Sequence, residues 1–295
     1  MLEFKKIEIE DKAWADILLR ISDFRGAEYC FTNLYIWDGI YQSKIGRYKD
    51  FLMLRTGSAP DFRYLYPAGS GDVKEVIELM MEDAANNGSS FTLIGVTEKT
   101  AHELKSHFPD RFIFDPIRDS FDYIYESEKL ISLSGKKLQP KRNHLNFFAA
   151  NNKWSYEELN SDMIPEIKEF NHEWCARVEC KKHETLSWES CAVEKCLDNY
   201  HHLNLRGGVL RVDGKIVAYT IGEVINSDTV IVHIEKAFSE VRGAYPMINR
   251  EFLSRVAPGY QYVNREDDIG DEGLRKAKES YYPIFMLEKF YAKLF

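Results

Sequence analysis

The run GVLRVDGKIVAYTIGEVINSDTVIVHIEKA, residues 208–237, indicates the fold more clearly than any other stretch of the chain. Within it, Asp213-Gly214 separates two β-rich runs, and Asp-Gly in that setting is the strongest short-range signal for a β-hairpin. A second turn at 226–228, Asn-Ser-Asp, leads into a third run at 229–237. We therefore predict a three-stranded antiparallel meander in the second half of the chain.

The residues on either side of this meander predict a mixed α/β domain. One strand and two helices come before it, and a helix, a strand, a helix and a strand follow it. The predicted bounds are 153–159, 164–178 and 188–200 before the meander, and 245–256, 261–264, 273–280 and 284–288 after it. Asp162 and Ser187 are the expected N-caps of the two earlier helices.

The first half of the chain repeats the later part of this order. Asp72, followed by Glu75 three residues on, predicts a helix start, and Gly88 predicts its end. The predicted bounds are 51–54, 63–66, 91–96, 112–115 and 122–125 for strands, and 73–87 and 97–108 for helices. We therefore predict two domains, 1–128 and 129–295.

Composition restricts the classes of protein to which the chain can belong. With 295 residues and 44% hydrophobic residues, the chain can fill two cores and is not disordered. A net charge of -8 argues against coating nucleic acid or an anionic membrane. No run approaches the ~18 apolar residues of a membrane helix, and the N-terminus does not resemble a signal peptide. We expect a cytoplasmic protein whose five cysteines are free thiols.

Four segments carry a resemblance to a known family. They are Gly135–Leu138, Lys141–Phe147, Gly243–Pro246 and Tyr262–Arg275, and they resemble the DUF2156 family, which is similar to the C-terminal domain of phosphatidylglycerol lysyltransferases. The order of elements resembles two tandem acetyltransferase (GNAT) domains, as in the FemABX-type enzymes. The resemblance implies an α/β fold of two tandem GNAT-like domains with mixed, mainly antiparallel sheets.

The same resemblance implies an activity. It is the transfer of an acyl or aminoacyl group from an activated donor, aminoacyl-tRNA or acyl-CoA, to an amine or hydroxyl acceptor. The lipid-modifying relatives carry a multi-helix membrane portion, and the hydropathy of this sequence shows none. We therefore expect a small-molecule or peptide amine as the acceptor. The alternative is a non-catalytic module that binds a ligand or tRNA on a degenerate acetyltransferase fold.

The segment 240–245, Glu-Val-Arg-Gly-Ala-Tyr, occupies the place of the GNAT pyrophosphate loop. The usual pattern is Gln or Arg, two residues, Gly, one residue, then Gly or Ala, so only Gly243 fits. Glu240 would repel phosphate and Tyr245 would obstruct it, which favours aminoacyl-tRNA over acetyl-CoA. Arg242, Gly243 and Tyr245 are predicted to contact the substrate, although Gly243 could also serve only a tight turn.

A basic cluster lies at the junction of the two predicted domains. Pro140 suits the first turn of a helix, and basic side chains at a helix start can hold phosphate from tRNA or a nucleotide-like donor. A solvated linker helix is the alternative. The predicted substrate-binding residues here are Lys136, Lys137, Lys141, Arg142, Asn143 and Asn146.

Three carboxylates are predicted to be catalytic. Glu235 lies near the end of the third meander strand, where burial of a carboxylate requires a purpose or a partner, and it is the expected general base. Asp267 and Asp268 follow a strand and could take a proton or hold an ammonium group, whereas Asp271 and Glu272 are expected to cap the next helix. The predicted neighbours in substrate binding are Asn264, Arg265, Lys278 and Tyr281. No metal site is predicted, because the spacing of the later cysteines is longer than that of structural zinc.

Overall fold

A computed structural model describes residues 2–295 of the chain, which divide into two compact units. The first unit extends to Tyr123 and also contains Asp267–Lys276 and Met286–Phe295. The second unit contains Ile124–Glu266 and Ala277–Phe285. Two segments of the predicted second domain, 129–295, are thus part of the first unit.

The structure contains fifteen strands and twelve α-helices in its described residues. The strands are β1 Lys5–Lys6, β2 Lys44–Tyr48, β3 Phe51–Thr56, β4 Arg63–Leu65, β5 Ala68–Gly69, β6 Thr92–Val96, β7 Phe112–Pro116, β8 Asp122–Glu126, β9 Trp154–Glu158, β10 Arg206–Val212, β11 Lys215–Val224, β12 Thr229–Ala237, β13 Tyr262–Asn264, β14 Phe285–Leu287 and β15 Phe290–Leu294. The helices are α1 Lys12–Ser22, α2 Phe31–Ile36, α3 Asp38–Tyr41, α4 Val73–Asn86, α5 Glu98–His107, α6 Ser127–Ser132, α7 Gln139–Asn151, α8 Ile164–Arg177, α9 Glu184–Asp198, α10 Tyr200–Leu203, α11 Ala244–Val256 and α12 Glu272–Glu279.

The sheet of the first unit has the order β1-β2-β3-β4-β6-β15-β7, with β5 paired to β3. The last strand, β15, lies between β6 and β7 and is antiparallel to both. The predicted helix at 73–87 is confirmed as α4, and the Asp72 carboxylate accepts a hydrogen bond from the Glu75 N–H at 3.2 Å. The strands β1 and β2 at one end of this sheet and the helices α1–α3 were not predicted.

The sheet of the second unit has the order β14-β8-β13-β12-β11-β10-β9. The predicted meander is confirmed as β10–β12, and the turn between β10 and β11 has positive φ at both Asp213 (50°) and Gly214 (81°). β12 pairs with the parallel strand β13, and α11, which lies between these two strands in the chain, packs on β10, β11 and β12. These mixed, mainly antiparallel sheets confirm the predicted fold class.

Two predicted N-caps are wrong, although α8 begins at Ile164 as predicted. The N-cap of α8 is Met163 rather than Asp162, because a 3-10 turn at Ser161–Met163 precedes the helix. Ser187 lies inside α9, whose N-cap is His183. The helix extends back to Glu184 because a 3-10 turn at Cys180–Lys182 has already reversed the chain.

The prediction that all cysteines are free is also wrong, because Cys175 and Cys180 form a disulfide. Five residues along a continuous helix would turn the two thiols to different faces. However, α8 ends at Arg177, and Glu179 takes a left-handed conformation (φ 53°), which folds Cys180 back onto the helix end. Cys30, Cys191 and Cys196 are not part of a disulfide. Among the helices within residues 2–295, none is both long and apolar enough to span a membrane.

Candidate active site

Glu235 forms the centre of a buried polar cluster in the second unit. It lies near the end of β12, and its side chain is 9% exposed. One carboxylate oxygen accepts a hydrogen bond from Arg265 Nη2 at 2.8 Å, and the other accepts one from Asn249 Nδ2 at 2.6 Å. Both oxygens of the predicted general base therefore have partners from neighbouring elements, β13 and α11.

Arg265 directly follows β13 and brings a second charge into this cluster. Its guanidinium lies 4.8 Å from the centroid of the Tyr281 ring and 5.8 Å from that of Tyr125. Nη1 is buried and has no hydrogen-bond acceptor among the described residues. A buried donor without an acceptor is costly, and a ligand oxygen bound to this N–H would offset that cost.

The backbone on both sides of Arg265 is held in place by polar side chains. Asn264 is buried, and its side-chain oxygen Oδ1 accepts a hydrogen bond from the Glu266 N–H at 2.7 Å. Lys278 Nζ donates to the carbonyl oxygen of Arg265 at 2.6 Å. These two predicted substrate-binding residues therefore fix the turn that presents the guanidinium.

Lys141, in the first turn of α7, approaches the same cluster. Its ammonium lies 4.0 Å from the centroid of the buried Tyr281 ring. Burial, and to a smaller extent the nearby Arg265, lower the pKa of Lys141 to about 8, while Glu235 opposes the shift. Lys141 makes no hydrogen bond or ion pair with any residue from 2 to 295.

The other residues of the predicted basic cluster do not join Lys141. Arg142 donates to the carbonyl oxygens of Leu133 and Gly135, the second at 2.7 Å, and so closes the connection between α6 and α7. Lys137 is exposed and lies 5.2 Å from the ring of Tyr282. Lys136, Asn143 and Asn146 are exposed on the surface of the second unit.

Gly243 caps α11 and has a left-handed backbone, φ 89°. A Cβ atom at this position would overlap the carbonyl oxygen of His144 in α7, so the close approach of α7 requires glycine. Arg242 is exposed and stacks on Phe147 at 4.2 Å, and Glu240 forms an ion pair with Arg177. Nothing in this loop other than Gly243 matches a pyrophosphate cradle.

A second buried charge next to the cluster was missed by sequence reasoning. Lys236 is 2% exposed, lies 3.6 Å from the Trp174 ring and donates to Glu189 at 2.9 Å. Burial lowers the pKa of Lys236. Tyr245 is half-buried, and burial raises its pKa, an effect that the neighbouring Ala237 backbone and Trp174 side chain oppose. The position of this lysine within the strand sequence VIVHIEKA is the sequence signal that could have identified Lys236 as a buried charge.

Asp268, predicted to be catalytic, is fully buried in the first unit. It accepts hydrogen bonds from the Tyr123 hydroxyl at 2.6 Å, from Arg118 at 3.0 Å and from Arg275 at 2.8 and 2.9 Å. Burial alone would raise its pKa, but Arg275 and Tyr123 hold the pKa well below its usual range. Asp268 therefore stays ionised and fully partnered.

The other acidic residues after β13 have separate roles. Asp267 is half-buried in the first unit, so neither Asp267 nor Asp268 belongs to the same unit as Glu235. Asp271 accepts a hydrogen bond from the Leu274 N–H at 2.6 Å, which confirms the expectation that it caps α12. Glu272 is the first residue of that helix.

Known structures share this architecture. A conserved protein of unknown function from Bacteroides thetaiotaomicron VPI-5482 is 40% identical, with full coverage of both chains and a TM-score of 0.96. The DUF2156 C-terminal domain from Agrobacterium fabrum is 15% identical over 96% of this chain and 91% of its own, with a TM-score of 0.70. A tandem GNAT protein from the clavulanic acid biosynthesis pathway is 10% identical over 99% and 98% of the two chains, with a TM-score of 0.50. The predicted tandem GNAT-like fold is thus confirmed.

Sequence comparison gives the family. An uncharacterised protein from Mycoplasmoides gallisepticum (strain R(low / passage 15 / clone 2)) is 25% identical over 177 residues, which cover 59% of this chain. The match spans 56% of that relative, a little over half of its length. The model of the family described as "Phosphatidylglycerol lysyltransferase, C-terminal" matches residues 19–293. The chain therefore belongs to this phosphatidylglycerol lysyltransferase C-terminal family, as its DUF2156-like segments predicted.

Proposed function

We propose that this protein transfers an aminoacyl or acyl group from an activated donor to an amine or hydroxyl acceptor, and that the donor is aminoacyl-tRNA. The observation that carries the proposal is the buried cluster of Arg265, Glu235 and Lys141 at the adjacent ends of β12 and β13 and the start of α7. Membership of a family described by a lysyltransferase supports the same class of reaction.

The cluster fits the chemistry of acyl transfer. When an amine attacks an ester carbonyl, negative charge develops on the carbonyl oxygen, and preorganised donors in a dry site stabilise it. Arg265 Nη1 is such a donor, since it is buried, positively charged and without an acceptor in the described residues. Holding the two reactants next to it would supply a large part of the rate enhancement.

The start of α11 argues against an acyl-CoA donor. A diphosphate needs free N–H groups at a helix N-terminus. Here the Ala244 N–H donates to Val241, and the backbone of His144 in α7 lies directly against Gly243. An ester of a tRNA 3′ end does not require a diphosphate cradle at this position.

A transfer assay tests the proposal. The purified chain is incubated with tRNA charged with radiolabelled amino acids and with a panel of primary amines and short peptides. Formation of a labelled amide by the wild type, with a loss of about 10²-fold in Arg265→Met, is the expected result. The matched control, Arg206→Met, removes an exposed arginine of the same unit and should leave the rate unchanged.

A specific observation favours the binding module as the second candidate. Both oxygens of Glu235 already have partners, so the expected general base is not free to accept a proton in this arrangement. Tight binding of charged tRNA with no amide formed from any acceptor would support the module and reject the transferase.

A further inference from the structure

The roles of Glu235 and Lys141 in the cluster differ from those that the sequence predicts. Glu235 was the expected general base, yet each of its oxygens accepts a short hydrogen bond, from Arg265 at 2.8 Å and from Asn249 at 2.6 Å. Protonating it would cost the ion pair that holds the guanidinium in the interior. Glu235 is therefore a positioning residue for Arg265.

Lys141 has the properties that a proton acceptor needs. Its amine is half-buried, lies over the Tyr281 ring at 4.0 Å and is paired with no carboxylate in residues 2–295. Lys236 has Glu189 as its partner, and Lys278 donates to a backbone carbonyl, so both ammonium groups are occupied. Lys141 also lies in the first turn of a thirteen-residue helix, whose dipole disfavours a positive charge.

The groups that face Lys141 come from several elements. Arg265 after β13 contributes a positive charge, and Glu235 in β12 contributes a negative charge. The Tyr281 phenol stays neutral, because burial raises its pKa. Burial favours the neutral amine most and Arg265 adds to this effect, which explains why the pKa of Lys141 falls to about 8 although Glu235 opposes the shift.

We infer that Lys141 is the catalytic proton acceptor of the transfer, that Arg265 Nη1 is the donor to the oxyanion, and that Glu235 positions Arg265. This inference rests on the proposed function and adds the assignment of roles. No metal or further cofactor is needed for the step.

The step balances in atoms and electrons. The acceptor nitrogen attacks the carbonyl carbon of the donor ester, a C–N bond forms, and the π pair moves to the oxygen, which accepts a hydrogen bond from Arg265. Neutral Lys141 removes one proton from the attacking nitrogen. The C–O bond to the donor then breaks, and the ammonium of Lys141 returns that proton to the leaving oxygen, so an amide and a free hydroxyl result.

A pH profile of single-turnover transfer tests these roles. Lysine accepts a proton only above its pKa, so the wild-type rate should rise as the pH increases through about 8. Lys141→Met should lose the rise and about 10²-fold or more of the rate at pH 8. Lys153→Met removes an exposed lysine of the same unit and should keep the wild-type profile. Equal rates and profiles for Lys141→Met and the wild type would overturn the inference.

A second readout needs no turnover. Competitive acetylation with acetic anhydride, followed residue by residue with mass spectrometry, reports the pKa of each lysine. Lys141 should titrate near 8, below the usual lysine value of about 10.4. Glu235→Gln should lower the titration midpoint of Lys141 further, because Glu235 raises the pKa of that lysine.

A titration midpoint above about 10 for Lys141 would refute its role as the base, even if the wild type transfers aminoacyl groups. If the titrations are as expected but no transfer occurs, it is the proposed function that fails.

Discussion

At the scale of single residues, the first unit contains a carboxylate whose charge supports folding. Asp268 is fully buried and bonded to Arg118, Arg275 and Tyr123. Such a network holds only while the carboxylate is ionised. Removing one member of a buried charge network leaves the other charges uncompensated, which typically costs about 3 kcal/mol or more.

We predict that Asp268→Asn lowers the free energy of unfolding by about 3 kcal/mol at pH 7. The folded-state pKa of Asp268 lies below the unfolded value of about 3.9, so its contribution is fully present above that value and is lost as the pH falls below it. The difference between variant and wild type should therefore shrink below about pH 4. Urea unfolding at several pH values measures this, with exposed Asp110→Asn as the control. A difference that does not change with pH would show that the charge is not what stabilises the fold.

At the scale of elements, the strand β15 closes the sheet of the first unit. It pairs with β6 from Phe290 opposite Val96 to Lys293 opposite Thr92, and with β7 from Phe290 to Leu294. Ala292 is fully buried within the core of this unit. Just before the strand, Lys289 is buried between Asp122 and Glu28, each 2.7 Å away.

Deleting residues 290–295 should therefore disrupt the first unit. The backbone groups of β6 and β7 that face β15 would lose their partners, and unpaired strand edges promote aggregation. We expect hydrogen-exchange protection at 92–96 and 112–116 to disappear in the truncated chain. Removing only Phe295, which is 80% exposed, provides the control. Retained protection in the longer deletion would mean that β15 is dispensable.

Local and non-local elements explain which parts of the fold the sequence predicts. The meander was predictable because the turn at Asp213-Gly214 and the alternation of the strands on either side of it lie within one short window. The place of β15 was not, because its partners lie about 175 to 200 residues earlier in the chain. The same reason applies to the site. Glu235 and Arg265 could be predicted as site residues because they lie at or near strand ends. The approach of Lys141 to Tyr281 and of Trp174 to Lys236 could not, because it depends on tertiary packing.

At the scale of the whole molecule, the net negative charge of the chain has to be reconciled with the proposed binding of a polyanionic donor, aminoacyl-tRNA. The chain carries a net charge of -8, so any binding of tRNA has to come from local basic groups rather than from the overall field. In the second unit, exposed basic side chains such as Lys136, Lys137 and Arg242 are available to phosphates. Binding through a few such contacts should weaken as the salt concentration rises.

We therefore predict that aminoacyl-tRNA stabilises the chain against heat more than uncharged tRNA does, and that acetyl-CoA has no effect. The phosphate contacts are common to both tRNAs, but only the charged one presents an ester carbonyl to Arg265. A ligand present at about a hundred times its Kd that binds only the folded state contributes about 2.7 kcal/mol, enough to be seen as a rise in Tm.

Thermal unfolding at two salt concentrations separates the two contributions to the rise in Tm. The stabilisation from phosphate contacts, which both tRNAs share, falls as the salt concentration rises, whereas the additional stabilisation by charged tRNA persists. In Arg265→Met that excess should vanish. Stabilisation by acetyl-CoA would instead mean that the loop around Gly243 binds a diphosphate despite the contact with α7.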